Sequence, residues 1–366
     1  MKIAIDARII NSSTGRYVER LLTYLERLDS DHDYLVLVRK KDMDYWRPTN
    51  PRFQLVEADF ADYSFAEQIG FARLLYRLKP DLVHFCMPQQ PIFYTRPSIT
   101  TVHDLNLLRI TSNDDMGTLE LFVKKLIFRG VLWVVAHRNK HILTPSEFTK
   151  RDLVEFSRIS PQKITVTYEG ADTATAEPKP VEQLKNKRFI LYVGRAEPYK
   201  NNRGLIEAHQ QLLAKHPDLH LVIVGKKDVL READIQWATE HGLAVNVDFL
   251  GFVSDEELAW LYKHCQAYIV PSLMEGFGLP GLEAMGSGAP VVSSNTTCLP
   301  EVYQDGAHYF DPHDSGDMAR AIDEVVSSEN LRATLIENAK KVHAQYSWKR
   351  MAEQTLATYQ QVLNRR

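Results

Sequence analysis

Cysteine is scarce in this 366-residue chain. Cys86, Cys265 and Cys298 stand far apart and form neither a CxxC pair nor a zinc-ligand spacing, which argues against a disulfide scaffold and a structural metal site and fits reduced, cytoplasmic surroundings. No GxGxxG fingerprint follows any strand-like run, so nicotinamide and flavin dinucleotides are not expected. Strong net charge is also missing: a formal value of -3 and a pI near 6.5 leave no broad basic surface for nucleic acid. The start, Met1-Lys-Ile-Ala-Ile-Asp6, has no signal-peptide h-region and reads as a buried strand. No apolar run is long enough and free of charge to span a bilayer, because the greasiest one, Leu119–Val135, carries Glu120, Lys124, Lys125 and Arg129. It reads either as a helix of the domain surface or core, or as a basic amphipathic helix lying in a membrane interface.

What is present is length, 44% apolar and 25% charged residues, and short β-rich runs alternating with helical periodicity. This predicts two α/β domains with parallel sheets. Strands are expected at Lys2–Asp6, Tyr34–Arg39, Leu82–Phe85, Ser98–Val102 and His141–Thr144, then at Phe189–Val193, Leu219–Val224, Val247–Leu250, Ala267–Val270 and Ala289–Ser293. Tyr17, Leu21, Leu22, Leu25 and Leu28 mark one face of a helix beginning at Gly15; others are expected near Leu205–Lys215, Asp255–Lys263 and Gly281–Met285. The polar, proline-containing stretch after residue 173 divides the chain. It gives a first domain 1–173, a linker 174–187, a second domain 188–347 and a final helix 348–366 that returns to the first domain.

Four segments carry chemistry. Ser12-Ser-Thr-Gly15-Arg16-Tyr17 is a small-residue turn opening a helix, either a site for a polar ligand at free N–H groups or an ordinary tight turn. His103-Asp104 closes an apolar strand, where open parallel sheets bind ligands; Asp104 is placed to orient the imidazole, and the alternative is a strand-end packing histidine. Gly194-Arg195 ends another strand, with Lys200 at the following helix start. The two cations suit a departing diphosphate, a solvated surface pair being the competing reading. Finally, Glu275-Gly276-Phe277-Gly278-Leu279-Pro280-Gly281-Leu282-Glu283 sets two carboxylates around a glycine-rich turn, with Glu283 opening a helix. Carboxylates suit vicinal hydroxyls and the loop N–H groups suit phosphate; capping carboxylates at a strand–helix junction are the plain alternative. No metal-ligand spacing accompanies these segments.

Glu275-x7-Glu283, Gly194-Arg195-x4-Lys200 and the strand-end His103-Asp104 together resemble retaining glycosyltransferases of family 4, the mannosyltransferase-like branch of the GT-B fold. The resemblance extends through Thr144-Pro-Ser146, Phe249-Leu-Gly251 and Leu299-Pro-Glu301. It implies two Rossmann-like β/α/β domains facing each other across a deep cleft, with a C-terminal helix crossing back to the first. It implies that Arg195 and Lys200 neutralise the donor diphosphate, Glu283 binds ribose hydroxyls, Glu275 contacts the transferred sugar, His103 sits under that sugar, and Gly15 lies near phosphates and acceptor. Gly194, Gly276, Phe277, Gly278 and Leu279 complete the donor site. No cofactor or metal is required in such an enzyme. Two positions depart from the family pattern: Ser13 replaces a glycine, and Glu169-Gly-Ala-Asp172 replaces the usual Asn-Gly-Val-Asp, so no chemical role is assigned to Glu169.

The activity so implied is transfer of a hexose from a nucleoside diphosphate sugar to a hydroxyl, with retention by same-face attack. Ser294–Glu301 resembles the mannosyltransferase-like branch of bacterial surface polysaccharide synthesis, which makes GDP-mannose the first donor expected; rhamnose, glucose, galactose and N-acetylhexosamine stay open. The acceptor expected is a glycan or lipid-linked oligosaccharide, with peripheral membrane contact through Leu119–Val135 and no nucleic-acid partner. A sugar-nucleotide epimerase, a glycosidase using both glutamates, and an inert nucleotide-sugar binding protein are the competing classes.

Overall fold

The computed structural model describes residues 1–12, 14–109, 118–172 and 176–364. They fold as two compact units: Met1–Leu108 with Val123–Gly170 and Ser347–Arg366, and Arg109–Phe122 with Ala171–Tyr346. Each contains one Rossmann-like parallel sheet, as the GT-B class requires. Ser13, residue 173, residues 174–175 of the expected linker and residues 365–366 of the expected final helix lie outside the described residues.

The first sheet comprises β1 Lys2–Asp6, β2 Asp33–Val38, β3 Phe53–Glu57, β4 Leu82–Phe85, β5 Ser98–Thr101, β6 His141–Thr144 and β7 Ile164–Val166, in the order β3-β2-β1-β4-β5-β6-β7. All pairings are parallel. Covered on both faces, its central strands are continuous apolar runs such as Ile3-Ala4-Ile5, which are fully buried. Helix Gly15–Leu28 packs Tyr17, Val18, Leu21, Leu22 and Leu25 inward. The final helix, Trp348–Asn364, packs on it. A buried polar chain fixes that contact: His84 Nδ1 meets the Tyr359 hydroxyl at 2.7 Å, His84 Nε2 meets Thr101 Oγ1 at 2.8 Å, and Tyr17 Oη meets the same hydroxyl at 2.9 Å.

The second sheet comprises β8 Arg188–Val193, β9 Leu219–Val224, β10 Val247–Gly251, β11 Ala267–Val270, β12 Val291–Ser294 and β13 Ala307–Phe310, in the order β10-β9-β8-β11-β12-β13. Its core gathers Ile190, Leu205, Leu221, Ile269, Val292 and Ile322. Each such side chain, wholly withdrawn from water, contributes roughly 1.5–3 kcal/mol before entropy is counted. Helix Asp255–His264 begins with a capping box between Ser254 and Glu257. Part of the expected linker is structure of this unit rather than tether: Lys179 N–H bonds the Glu256 carbonyl at 3.0 Å, and Leu184 is fully buried in the short 3-10 turn Glu182–Leu184.

Candidate active site

In the second sheet the strand order reverses direction between β8 and β11, so the loops leaving these neighbouring strands part to opposite faces and open a crevice at their carboxyl ends. Arg195 and Lys200 follow β8, and Glu275 follows β11. The two loops are tied to each other. Asn201, in the left-handed region at φ 58°, donates its side-chain amide to the carbonyls of Pro271 at 3.2 Å and Pro312 at 2.9 Å. Leu273 N–H bonds the Tyr199 carbonyl at 2.8 Å.

This cross-tie brings Lys200 Nζ to 2.6 Å from Glu275 Oε1. Ser272 also donates to that oxygen at 2.7 Å, and the Glu275 N–H donates to Thr297 Oγ1 at 3.2 Å. The two side chains are only 17% and 12% exposed. Burial works against charge on Lys200, but the charge and hydrogen bond of the Glu275 carboxylate, together with the phenols of Tyr199 and Tyr192, more than offset it and the ammonium's pKa is raised. The lysine and the glutamate assigned separately to phosphate and to sugar are therefore one ion pair.

The Arg195 side chain is not bonded to this pair. Its guanidinium bonds Glu197 at 2.7 Å and is half exposed, because the Arg195 carbonyl, not its side chain, is gripped by the Tyr192 hydroxyl at 2.8 Å. Gly194 lies against that same phenol, whose oxygen would be 2.6 Å from an added Cβ.

The glycine-rich turn also differs from expectation. Glu283 is the fifth residue of helix Leu279–Gly286 rather than its opening one and is half-buried, because Gly278 at φ +86° turns the chain and the helix starts at Leu279, with Pro280 in its first turn. Tyr303 dictates the small residues: its hydroxyl bonds the Gly278 carbonyl and would lie 2.2 Å from a Cβ on Gly281. Gly276 precedes the buried Phe277, whose ring meets Tyr346 edge-on.

In the first unit His103 follows β5 and Gly15 begins its helix where an added Cβ would sit 1.9 Å from the Ile10 carbonyl oxygen. The imidazole is not oriented by Asp104, whose carboxylate accepts instead from the Asn106 N–H at 2.9 Å. Its partners are Glu169 Oε1, 3.2 Å from Nδ1, and the Cys86 carbonyl, 3.1 Å from Nε2, with the Tyr17 ring edge-on at 4.7 Å. Glu169, to which the sequence assigns no chemical role, is thus the carboxylate that holds the His103 ring; the available signal was its replacement of the usual asparagine by a carboxylate just before Gly170.

Among the described residues no cluster of three or more His, Cys, Asp or Glu side chains is arranged to hold a metal ion. No described helix is long and apolar enough to cross a membrane.

Comparison with known proteins gives two adjoining family matches: "Glycosyltransferase Family 4" over residues 14–175 and "Glycosyl transferases group 1" over residues 174–342. O-antigen chain mannosyltransferase B of Escherichia coli is 31% identical over 277 residues, covering 72% of this chain and 70% of the relative. The serotype-specific mannosyltransferase WbdA of the same species is 30% identical over 238 residues, but that match spans 29% of its length. Among solved structures, sucrose-phosphate synthase from Thermosynechococcus elongatus superposes with a TM-score of 0.80 at 19% identity over 100% of both chains. HepE from Anabaena, solved with UDP-glucose, superposes with a TM-score of 0.75 at 18% identity over 99% of this chain and 100% of that one.

Proposed function

The chain belongs to glycosyltransferase family 4 and is a glycosyltransferase; from that premise we propose that it transfers mannose from GDP-mannose to a hydroxyl of a surface-polysaccharide glycan or lipid-linked oligosaccharide, with retained anomeric configuration. The single observation carrying the site assignment is the Lys200–Glu275 pair at the reversal point of the second sheet. The mannose assignment is supported by the named activity of the E. coli relative.

In this reading Lys200 and Arg195 stabilise the diphosphate as it leaves. The N–H groups of Gly276, Phe277, Gly278 and Leu279 supply neutral donors at the same turn. Glu283 binds the ribose hydroxyls. Glu275, anchored by Lys200 and Ser272, keeps acceptor capacity on its second oxygen for a sugar hydroxyl. His103 contacts the transferred sugar, and Gly15 keeps its turn small beside phosphates and acceptor. The acceptor oxygen attacks the anomeric carbon on the face from which the phosphate departs. The carbon–phosphate-oxygen bond breaks, and the leaving phosphate oxygen takes the acceptor proton, so no protein nucleophile is needed.

Helix Thr118–Arg138 supports action at the inner face of the cytoplasmic membrane. Leu121, Phe128, Leu132, Val135 and Ala136 are buried, whereas Phe122, Leu126, Ile127 and Trp133 are exposed. At about 100° per residue the exposed apolar arc is bordered by Arg129 on one side and Lys124 on the other, which is the arrangement of an interfacial helix facing anionic lipid.

A panel of nucleoside diphosphate sugars tests the donor. GDP-mannose should give the largest thermal stabilisation and the fastest transfer to a mannose-terminated glycan. Faster turnover of another sugar refutes the mannose assignment, and an isomerised nucleotide sugar without a glycoside refutes transfer. Salt-sensitive binding to vesicles containing anionic lipid, lost in Leu126→Ser/Trp133→Ser, is expected; no association with those vesicles removes the membrane assignment.

A further inference from the structure

Arg231 lies in the first turn of helix Val229–Glu240 and is, among the described residues, the largest fully buried side chain, 1% exposed. A guanidinium withdrawn from water ordinarily meets a carboxylate. Here it makes one hydrogen bond, from Nη2 to the Gly194 carbonyl at 3.0 Å, and Nη1 has no partner. Three carboxylates are within electrostatic reach, and none bonds the guanidinium, although Glu197 keeps one buried oxygen, Oε2, without a partner. Asp234 bonds Arg203 at 3.1 Å and Asn202 at 3.3 Å, Glu197 bonds Arg195 at 2.7 Å, and Asp228 caps the helix by accepting the Arg231 N–H at 3.2 Å.

The position of this charge is as telling as its isolation. Arg231 sits behind the Gly194–Arg195 turn. The Tyr192 phenol senses the charges of both Lys200 and Arg231, and it is this phenol that holds the Arg195 carbonyl. We propose that Arg231 is a third cation of the donor site: a buried charge left without a carboxylate so that the diphosphate of a nucleotide sugar completes it. The inference rests on the reading that the diphosphate binds beside Lys200. Arg231 acts through its field across the Gly194 peptide rather than by direct contact, so it is a positioning and electrostatic residue, not a catalytic one. In a low-dielectric setting such a field is felt by a dianion several ångströms away.

A charge kept for a ligand and a charge kept for the fold respond oppositely to removal. Arg231→Met retains volume and discards the charge; Arg231→Lys retains charge and alters the hydrogen bond. Calorimetric titration with inorganic pyrophosphate, GDP and UDP, together with melting of the ligand-free protein, reads both properties, with Lys200→Ala as the reference. Arg231→Met should melt no lower than the wild type while its affinity for pyrophosphate and for the bound nucleotide falls roughly 10-fold or more, and Arg231→Lys should keep most of that affinity. Unchanged affinity in Arg231→Met overturns the proposal whatever its melting temperature. Should Arg231→Met lose both stability and affinity, loss of affinity in a normally folded Arg231→Lys overturns it, and retention supports it. If Lys200→Ala also leaves affinity unchanged, it is the location of the diphosphate that fails instead.

Discussion

Replacing Lys200 by alanine has two separable consequences, because its ammonium both anchors Glu275 and, in the proposed reaction, faces the leaving diphosphate. Loss of one preorganised donor to a developing anion costs about 2.7–4 kcal/mol of transition-state stabilisation, or roughly 10²–10³ in turnover. The fold loses something different. Glu275 would keep the Ser272 hydroxyl but no cation, at 12% exposure. Breaking a buried ion pair from one side costs about 3–5 kcal/mol, and partial exposure of both groups places this pair at the low end. In a unit of this size about 3 kcal/mol lowers the melting temperature by roughly 6–12 °C. Lys200→Ala/Glu275→Gln removes the stranded charge and should recover much of that stability while turnover stays low. The pH dependence follows from the sign of the shift. A raised lysine pKa means the stabilisation is complete below the ordinary lysine range and is lost only as pH rises through the still higher folded value. The ratio of wild-type to Lys200→Ala rates should therefore be constant between about pH 6 and 9. Steady-state transfer at saturating donor, paired with thermal melts, checks each part. Near-normal turnover in Lys200→Ala would refute the assignment, and equal melting of the single and double variants would refute the stability argument.

Glu169→Ala frees the His103 ring and should lower kcat about 10- to 100-fold, since small misplacements of a positioned group cost that much. Glu169→Gln, whose amide can either accept from or donate to Nδ1 and so holds the ring, should stay within a few-fold of the wild type; equal impairment of both variants would show that charge, not orientation, is what Glu169 supplies. Burial, reinforced by the charge of His103, pushes His84 down to about 3. The folded protein thus holds it neutral while the unfolded chain protonates near 6.5, so stability declines as pH falls below 6.5, by up to about 1.4 kcal/mol per unit for this group. His84→Gln should show a shallower loss of urea midpoint between pH 7 and 5, and identical slopes would refute the argument.

Element positions were legible where one physical signal dominated. Central strands such as Ile3–Ile5 and Leu221–Val224 are apolar without interruption, and β1, β4, β6, β9 and β11 lie at their expected positions. The strands that escaped notice, β3, β7 and β13, are three of the four edge strands, and they carry polar residues: Gln54 in Phe53–Glu57, Thr165 in Ile164–Val166 and His308 in Ala307–Phe310. With one neighbour to pair with and a face left to water, such strands lack a continuous apolar run. Helix starts moved for local reasons. The helix expected from Leu205 begins at Asn202, because Asn201 takes a left-handed conformation and ends the preceding turn.

Site residues were legible as types but not as partners. Spacing pointed to Lys200 and Glu275, yet nothing in a linear reading says that residues 75 positions apart share a 2.6 Å contact; that depends on β8 and β11 being neighbours and on Asn201 tying their loops. For the same reason the partners of Glu169 and Arg231 could not be read. One reaches His103 from the exit of β7, and the other reaches Gly194 from a helix that follows β9. Both lie behind the residues the motifs highlight; Glu169 is marked locally only by standing in place of the usual asparagine, and Arg231 by nothing. The glycines between the two glutamates make the converse point. Their spacing suggests room for phosphate, but at Gly278 and Gly281 the space is already claimed by the Tyr303 hydroxyl. A glycine-rich turn can thus be demanded by packing from within the fold as well as by a ligand, and separating those two demands requires knowing what stands behind the backbone.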